Sequence, residues 1–145
     1  MRHRKKIRKL NRPKAHREAL LANLANATLT SYGIVTTREK AKETSKLLAR
    51  LIDFAKEGTV ASKREAKSLL KNKEIVYKLF NEVAPRLTER KSGYTRIVGL
   101  PPRKGDGANL ALLELIGFDK ERKEKQDMLE QRRKDKEEKK LRGMP

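Results

Sequence analysis

The sequence predicts an α+β fold, with several helices followed by a β-hairpin, flanked by a basic N-terminal arm and a charged C-terminal tail. Three observations carry that expectation. Apolar residues recur at a period near 3.6 from about residue 13 to residue 84. From Tyr94 onward the pattern changes to alternation, split by a loop rich in proline and glycine. Both ends of the chain have almost nothing to bury, so a core belongs to the residues between them.

Residues 1–12 read as an extended arm, because Ile7 and Leu10 are nearly all of its apolar content. Helical character starts near Asn11 or Pro13, since asparagine caps helices and proline is tolerated in a first turn. Ala19, Leu20, Leu24, Ala27 and Thr28 then keep helical spacing, and Gly33 is a plausible stop. Ile34-Val35-Thr36 is β-branched and short, as a brief strand would be.

Thr36 and Glu39 have the spacing of a capping box, in which hydroxyl and carboxylate each satisfy a backbone amide. Ala41, Thr44, Leu47, Leu48, Leu51, Ile52 and Ala55 follow at the helical period, ending at Gly58. A second such pair, Ser62 with Glu65, opens a short helix through Leu69 and Leu70. Asn72 caps another piece carrying Ile75, Val76, Leu79, Phe80 and Val83, halted by Pro85. These stripes are core-facing rather than ligand-binding.

YTRIVGL and NLALLELIG read as the two strands of a hairpin, and PPRKGDGA between them as a long basic tip. After Phe118 the chain is almost entirely charged. Glu121 to Lys125, Glu130 to Lys134 and Asp135 to Lys139 are acid-first pairs four apart, each stabilising a helix by about 0.3 kcal/mol. Residues 119–145 are therefore a solvated helix or a disordered extension, and residues 13–118 the single domain.

The net charge is +19 over 145 residues. Residues 1–17 carry nine bases and no acid, residues 18–118 eighteen bases against eleven acids, and residues 119–145 eleven against eight. Such a surplus opposes compaction and favours polyanionic partners. No apolar run approaches the roughly 18 residues of a membrane span, and the basic start is followed by more bases rather than by the apolar stretch of a secretory signal. Cysteine is absent, which removes disulfides and thiolate zinc sites and suits a reducing cytosol.

Catalysis has little to work with. His3 and His16 are the only histidines, both sit among cations that oppose protonation and disfavour a metal, and neither belongs to a nucleophile motif. KGDG at 104–107 is neither a P-loop nor a dinucleotide fingerprint. The expected protein is not an enzyme and needs no cofactor.

Binding is another matter. Lys and Arg neutralise phosphates and release counterions, and arginine adds two-pronged recognition of phosphate oxygens. The arm supplies Arg2, Arg4, Lys5, Lys6, Arg8, Lys9, Arg12 and Arg17; its bland alternative is a targeting or solubilising tail. Arg103 and Lys104 on the hairpin tip are a second cluster, or an ordinary exposed turn. The turn Arg90, Lys91, Ser92, Gly93, Tyr94, Thr95 and Arg96 is a third, in which Tyr94 is either a contact or a cross-strand core aromatic. With three Tyr and three Phe there is no stacking platform for single strands, and no helix-turn-helix stands out. What remains is recognition of a folded RNA by shape and phosphate.

Several motifs extend this reading: MRHR at the start, KLNR at 9–12, HREAL at 16–20, TTREKAKE at 36–43, KLFNEVAPR at 78–86, GYTRI at 93–97 and KGDGA at 104–108. In that order, across about residues 2–118, they resemble the bacterial large-subunit ribosomal protein family designated L-seventeen. The resemblance implies a helical layer on a small, roughly three-stranded mixed sheet, with the strand near 34–36 joining the hairpin. It also implies binding to large-subunit ribosomal RNA near the exit of the peptide tunnel, beside neighbouring large-subunit proteins, in the cytoplasm. The RNA-binding residues it implies are Arg2, His3, Arg4, Lys5, Lys6, Arg8, Lys9, Asn11, Arg12, His16 and Arg17, then Ser92 to Arg96, Arg103 and Lys104. Ala22 stands before Asn23-Leu24 where the family often has arginine, and the tail is longer than the common pattern. The competing reading is an architectural DNA-binding protein, although PPRKGDGA offers few apolar wedges for insertion between base steps. A third is an adaptor for acidic proteins.

Overall fold

The computed structural model describes residues 8–142. Three strands, β1 (Gly33–Thr37), β2 (Thr95–Gly99) and β3 (Leu110–Leu115), form one sheet in the order β1-β3-β2. Both pairings are antiparallel, so the sheet is not the mixed one expected. β1 and β2 run the same way but never pair, because the hairpin folds β3 into the gap between them. In this register Leu113 lies between Ile34 and Ile97, and Ala111 between Thr36 and Gly99. Ala111, Leu113 and Leu115 are buried beneath the helices, while Val35 and Val98 on the other face are 56% and 40% exposed. Alternation along each strand thus separates a covered face from an open one.

The helical layer is α1 (Lys14–Ser31), α2 (Arg38–Glu57), α3 (Val60–Leu70) and α4 (Lys73–Lys78), the last continued by a π-helical turn at Leu79–Val83 into the short α5 (Ala84–Arg86). α2 keeps the expected stripe: Ala41, Thr44, Leu48, Leu51, Ile52 and Ala55 are buried. α1 does not. Its buried residues are Ala22, Ala25, Thr28 and Leu29, so of the expected stripe only Thr28 is buried. Its buried face combines two alanines with Thr28 and Leu29, while Leu20, Leu21 and Leu24 are only half-buried.

Helix ends depart from expectation where the strand or turn beside them takes over. Thr36 belongs to β1, and the cap residue Thr37 makes no side-chain cap bond; instead the Arg38 amide donates to the Asn109 carbonyl at 2.9 Å. α3 begins a residue after Thr59, whose hydroxyl accepts from the Ser62 amide at 3.1 Å, so the cap lies one turn before the Ser62–Glu65 pair. Asn72 caps α4 as expected, accepting from the Glu74 amide at 2.9 Å. Pro85 does not stop the helix. The Ala84 amide reaches back to the Leu79 carbonyl five residues earlier, and this wider turn accommodates the proline ring. α1 ends at Tyr32 in the left-handed region, φ 60°, and Gly33 opens β1 instead of closing the helix.

Leu48, Leu51, Leu79, Val83, Leu87 and Phe118 complete the core. Phe118 stacks on Tyr32 with ring centroids 4.8 Å apart. Behind it runs α6 (Asp119–Arg142), whose first two turns touch the body: Arg122 pairs with Glu114, Glu121 with Arg86, and the Lys125 ammonium donates to the Thr30 carbonyl. Past Lys125 the residues from Gln126 to Arg132 are exposed.

Candidate nucleic-acid interface

Of the expected arm residues, Arg2, His3, Arg4, Lys5 and Lys6 lie outside the described residues. Arg8 is tied down. Its guanidinium pairs with Glu39 and lies 3.6 Å from Glu43, whose carboxylate is only 9% exposed and also accepts from Lys46 at 2.8 Å. Arg8 therefore fixes the base of the arm on the first half of α2. Leu10 and Asn11 both adopt positive φ, 51° and 52°, so Asn11 forms a left-handed corner instead of capping the helix. Asparagine accepts this conformation readily; leucine does not. Beyond the corner Arg12 donates to His16 Nε2 at 3.3 Å, and Arg17 to the Arg12 carbonyl at 3.3 Å. Lys9, Asn11 and His16 are exposed, and Arg12 and Arg17 half-buried.

The turn before β2 has two halves. Arg90, Lys91, Ser92 and Gly93 are exposed, with Gly93 at φ 69°. Tyr94 is 3% exposed and belongs to the core. Its hydroxyl donates to Asp53 at 2.7 Å, and the Lys56 ammonium lies 5.2 Å from its ring. That acceptor carboxylate, with burial, raises the hydroxyl's pKa above the usual tyrosine value. Thr95 shares a 2.7 Å hydrogen bond with Ser45 of α2. Arg96 pairs with Glu114 and lies 3.4 Å from Asp119, on the sheet face away from α2. Tyr94, Thr95 and Arg96 thus hold the turn, and Ser92-Gly93 present it.

On the hairpin tip Arg103 grips Asp106 with two prongs, at 3.0 and 2.5 Å. The guanidinium and the Ala108 amide bring the Asp106 carboxyl down to about 2. The tip is therefore partly self-neutralised. Lys104 is exposed and makes no ion pair among the described residues.

Two cation groups escaped the sequence reading. Lys63, Arg64, Lys67, Lys71 and Lys73 are all exposed along α3 and the start of α4, with no ion pair among the described residues. The spacing of Lys63, Arg64, Lys67 and Lys71, one, three and four residues apart, was the available signal. Arg38 and Lys42, four apart on α2, line a cleft of about 470 Å³ together with Gly99, Leu100 and Asn109. The described residues contain no group of three or more metal-ligating side chains and no helix long and apolar enough to cross a membrane. The arm base and the α2 cations lie close together, Arg8 and Lys42 both approaching Glu39.

Comparison with known proteins bears on this surface. The sequence model of a family described as Ribosomal protein L17 matches residues 20–116. The chain is 45% identical over 116 residues to the large ribosomal subunit protein bL17 of Fusobacterium nucleatum subsp. nucleatum, covering 80% of this chain and 100% of that one. Its counterpart from Natranaerobius thermophilus is 48% identical over 109 residues, covering 75% of this chain and 96% of the relative. That from Rubrobacter xylanophilus is 48% identical over 116 residues, covering 80% and 96%.

Proposed function

The chain belongs to the ribosomal protein L17 family, a bacterial family of structural large-subunit proteins rather than enzymes, and from that premise we propose that it binds and stabilises large-subunit ribosomal RNA. The arm and the exposed loop cations make the contacts, near the exit of the peptide tunnel and beside neighbouring ribosomal proteins in the cytoplasm. One observation supports this reading above the others: residues 1–17 hold nine bases and no acid, and the stretch before α1 is anchored on the domain by Arg8, paired with Glu39 and Glu43. A cationic strand anchored at its base reaches into RNA crevices that a globular surface cannot enter. The exposed Ser92-Gly93 turn and Lys104 add contacts on other sides, as a protein embedded among RNA helices requires.

Family membership supports this reading over the DNA-binding and adaptor ones. Apart from Pro101 and Pro102, the hairpin tip is basic and small, and its Arg103 is partly neutralised by Asp106. The extension at 119–145 is part of this proposal: it serves as a further contact for ribosomal RNA or a neighbouring protein on the subunit surface.

Deletion of residues 2–7 tests the arm while keeping Arg8 on Glu39 and Glu43. The shortened protein should fold yet fail to travel with the large subunit when ribosomes are fractionated. Normal occupancy of the subunit would refute the arm's role.

A further inference from the structure

Gly99 occupies an inner-face position of β2, in register with Ala111 of β3. These two small residues line a cleft of about 470 Å³ that Arg38 and Lys42 of α2 line from the helix side. A Cβ added at Gly99 would meet nothing within 4 Å. Ile97 gives the cleft an apolar wall on the inner face, while Arg38 and Lys42 stand on one rim with no carboxylate among the lining residues. The nearest acid on α2, Glu39, is engaged by Arg8 and lies 3.9 Å from Lys42. Asn109 offers an amide donor and acceptor whose side chain makes no hydrogen bond among the described residues.

A flat group with apolar faces, polar edges and an attached anion fits this lining, and the volume is that of a small-molecule site. The geometry points to a single unpaired nucleotide of the RNA as the occupant. Its base enters over Gly99 against Ile97, Asn109 meets its edge, and Arg38 and Lys42 hold its phosphate. A duplex cannot enter a cleft of this size, so the nucleotide comes from a loop, a bulge or an extruded position. An apolar side chain of a neighbouring protein would cover the apolar wall but leave both cations unused. This inference rests on the RNA-binding reading and gives it one specific subsite.

The test uses the full-length chain and transcribed large-subunit ribosomal RNA. Gly99→Leu puts a side chain into open space at a β-strand position with ordinary φ, so the fold should persist, as thermal unfolding will verify; Gly99→Val serves if the larger residue disturbs it. Affinity should fall about tenfold, the scale of one lost base contact, with no change in salt dependence because no charge is lost. Arg38→Gln with Lys42→Gln should also weaken binding but lower the log–log salt slope by about 0.7, the share of the one phosphate they hold. If the unmodified protein fails to bind the RNA, the proposed function itself fails. If it binds and the folded Gly99 variant binds equally well, the nucleotide subsite is overturned. Unchanged RNA affinity with lost subunit incorporation would assign the cleft to a protein neighbour and equally overturn it.

Discussion

Arg122 of α6 donates to Glu114 of β3, a carboxylate 3% exposed at the centre of the sheet's outer face. Arg96 of β2 approaches the same carboxylate from the other side. The close approach depends on Gly33, opposite Glu114 on β1: a Cβ there would lie 2.8 Å from the Arg122 Cδ. One buried acid therefore joins two strands to the helix that follows them.

Glu114→Ala should destabilise the fold by about 3 kcal/mol, since it strips the partner from two guanidinium groups at a buried pair. Arg122→Ala should cost less, about 1–2 kcal/mol, because Arg96 still compensates the carboxylate. Denaturant unfolding of the two variants checks the order. Equal effects would mean that Arg96 does not share the charge.

A chain ending at Gln126 keeps Glu121, Arg122 and Lys125 in place and should match the full protein's stability within about 0.5 kcal/mol. One ending at Phe118 loses all three anchors and should lose about 3 kcal/mol or more. Thermal unfolding of the two truncations distinguishes a docked first turn from a passive tail.

Lys78 and Lys125 both donate to the Thr30 carbonyl, and both ammonium groups lie over the Tyr32 ring, at 4.0 and 4.4 Å from its centroid. Burial first, and then Lys125, lower the Lys78 pKa to about 8, against the pull of Glu82. Between that value and the ordinary lysine range the unfolded chain binds more protons, so stability should rise with pH from about 8 upward. Tyr32 acts the other way: burial and the Glu82 bond raise its pKa, with Arg86 opposing and Glu121 adding. Above the ordinary tyrosine value, about 10, the unfolded chain ionises first and stability should fall. The thermal midpoint should therefore pass through a maximum near pH 10, and Lys78→Met should flatten the rising limb. A midpoint that declines steadily from pH 7.5 would contradict this.

Asn72→Ala and Thr59→Ala each remove a side-chain cap and should cost about 1 kcal/mol. Thr37→Ala removes none, and should stay within about 0.5 kcal/mol. Chemical denaturation separates the three; a Thr37 effect as large as the Asn72 effect would show a cap bond at α2 after all.

Strong periodicity made α2 and the hairpin legible, because one face of each is buried and the spacing records it. α1 misled because its apolar residues lie on more than one face: Leu20, Leu21 and Leu24 stay half-buried, while Ala22, Ala25, Thr28 and Leu29 face the core. The π turn before Pro85 and the left-handed corner at Leu10-Asn11 depend on tertiary packing, and no local spacing announces them. Charge location was readable residue by residue, but charge pairing was not. Arg8 meets Glu39 across thirty-one positions and Arg96 meets Glu114 across eighteen, so only the folded chain shows which cations face outward. The α3 face of Lys63, Arg64, Lys67 and Lys71 was legible in its spacing and was overshadowed by the denser arm.

The salt dependence of binding to large-subunit ribosomal RNA measures most directly whether the arm's charge is there to meet phosphate. Affinity should fall steeply with added salt, and deletion of residues 2–7, which removes Arg2, Arg4, Lys5 and Lys6, should lower the log–log slope by roughly 3. A slope near zero, or one that the deletion leaves unchanged, would contradict the proposed role of the arm.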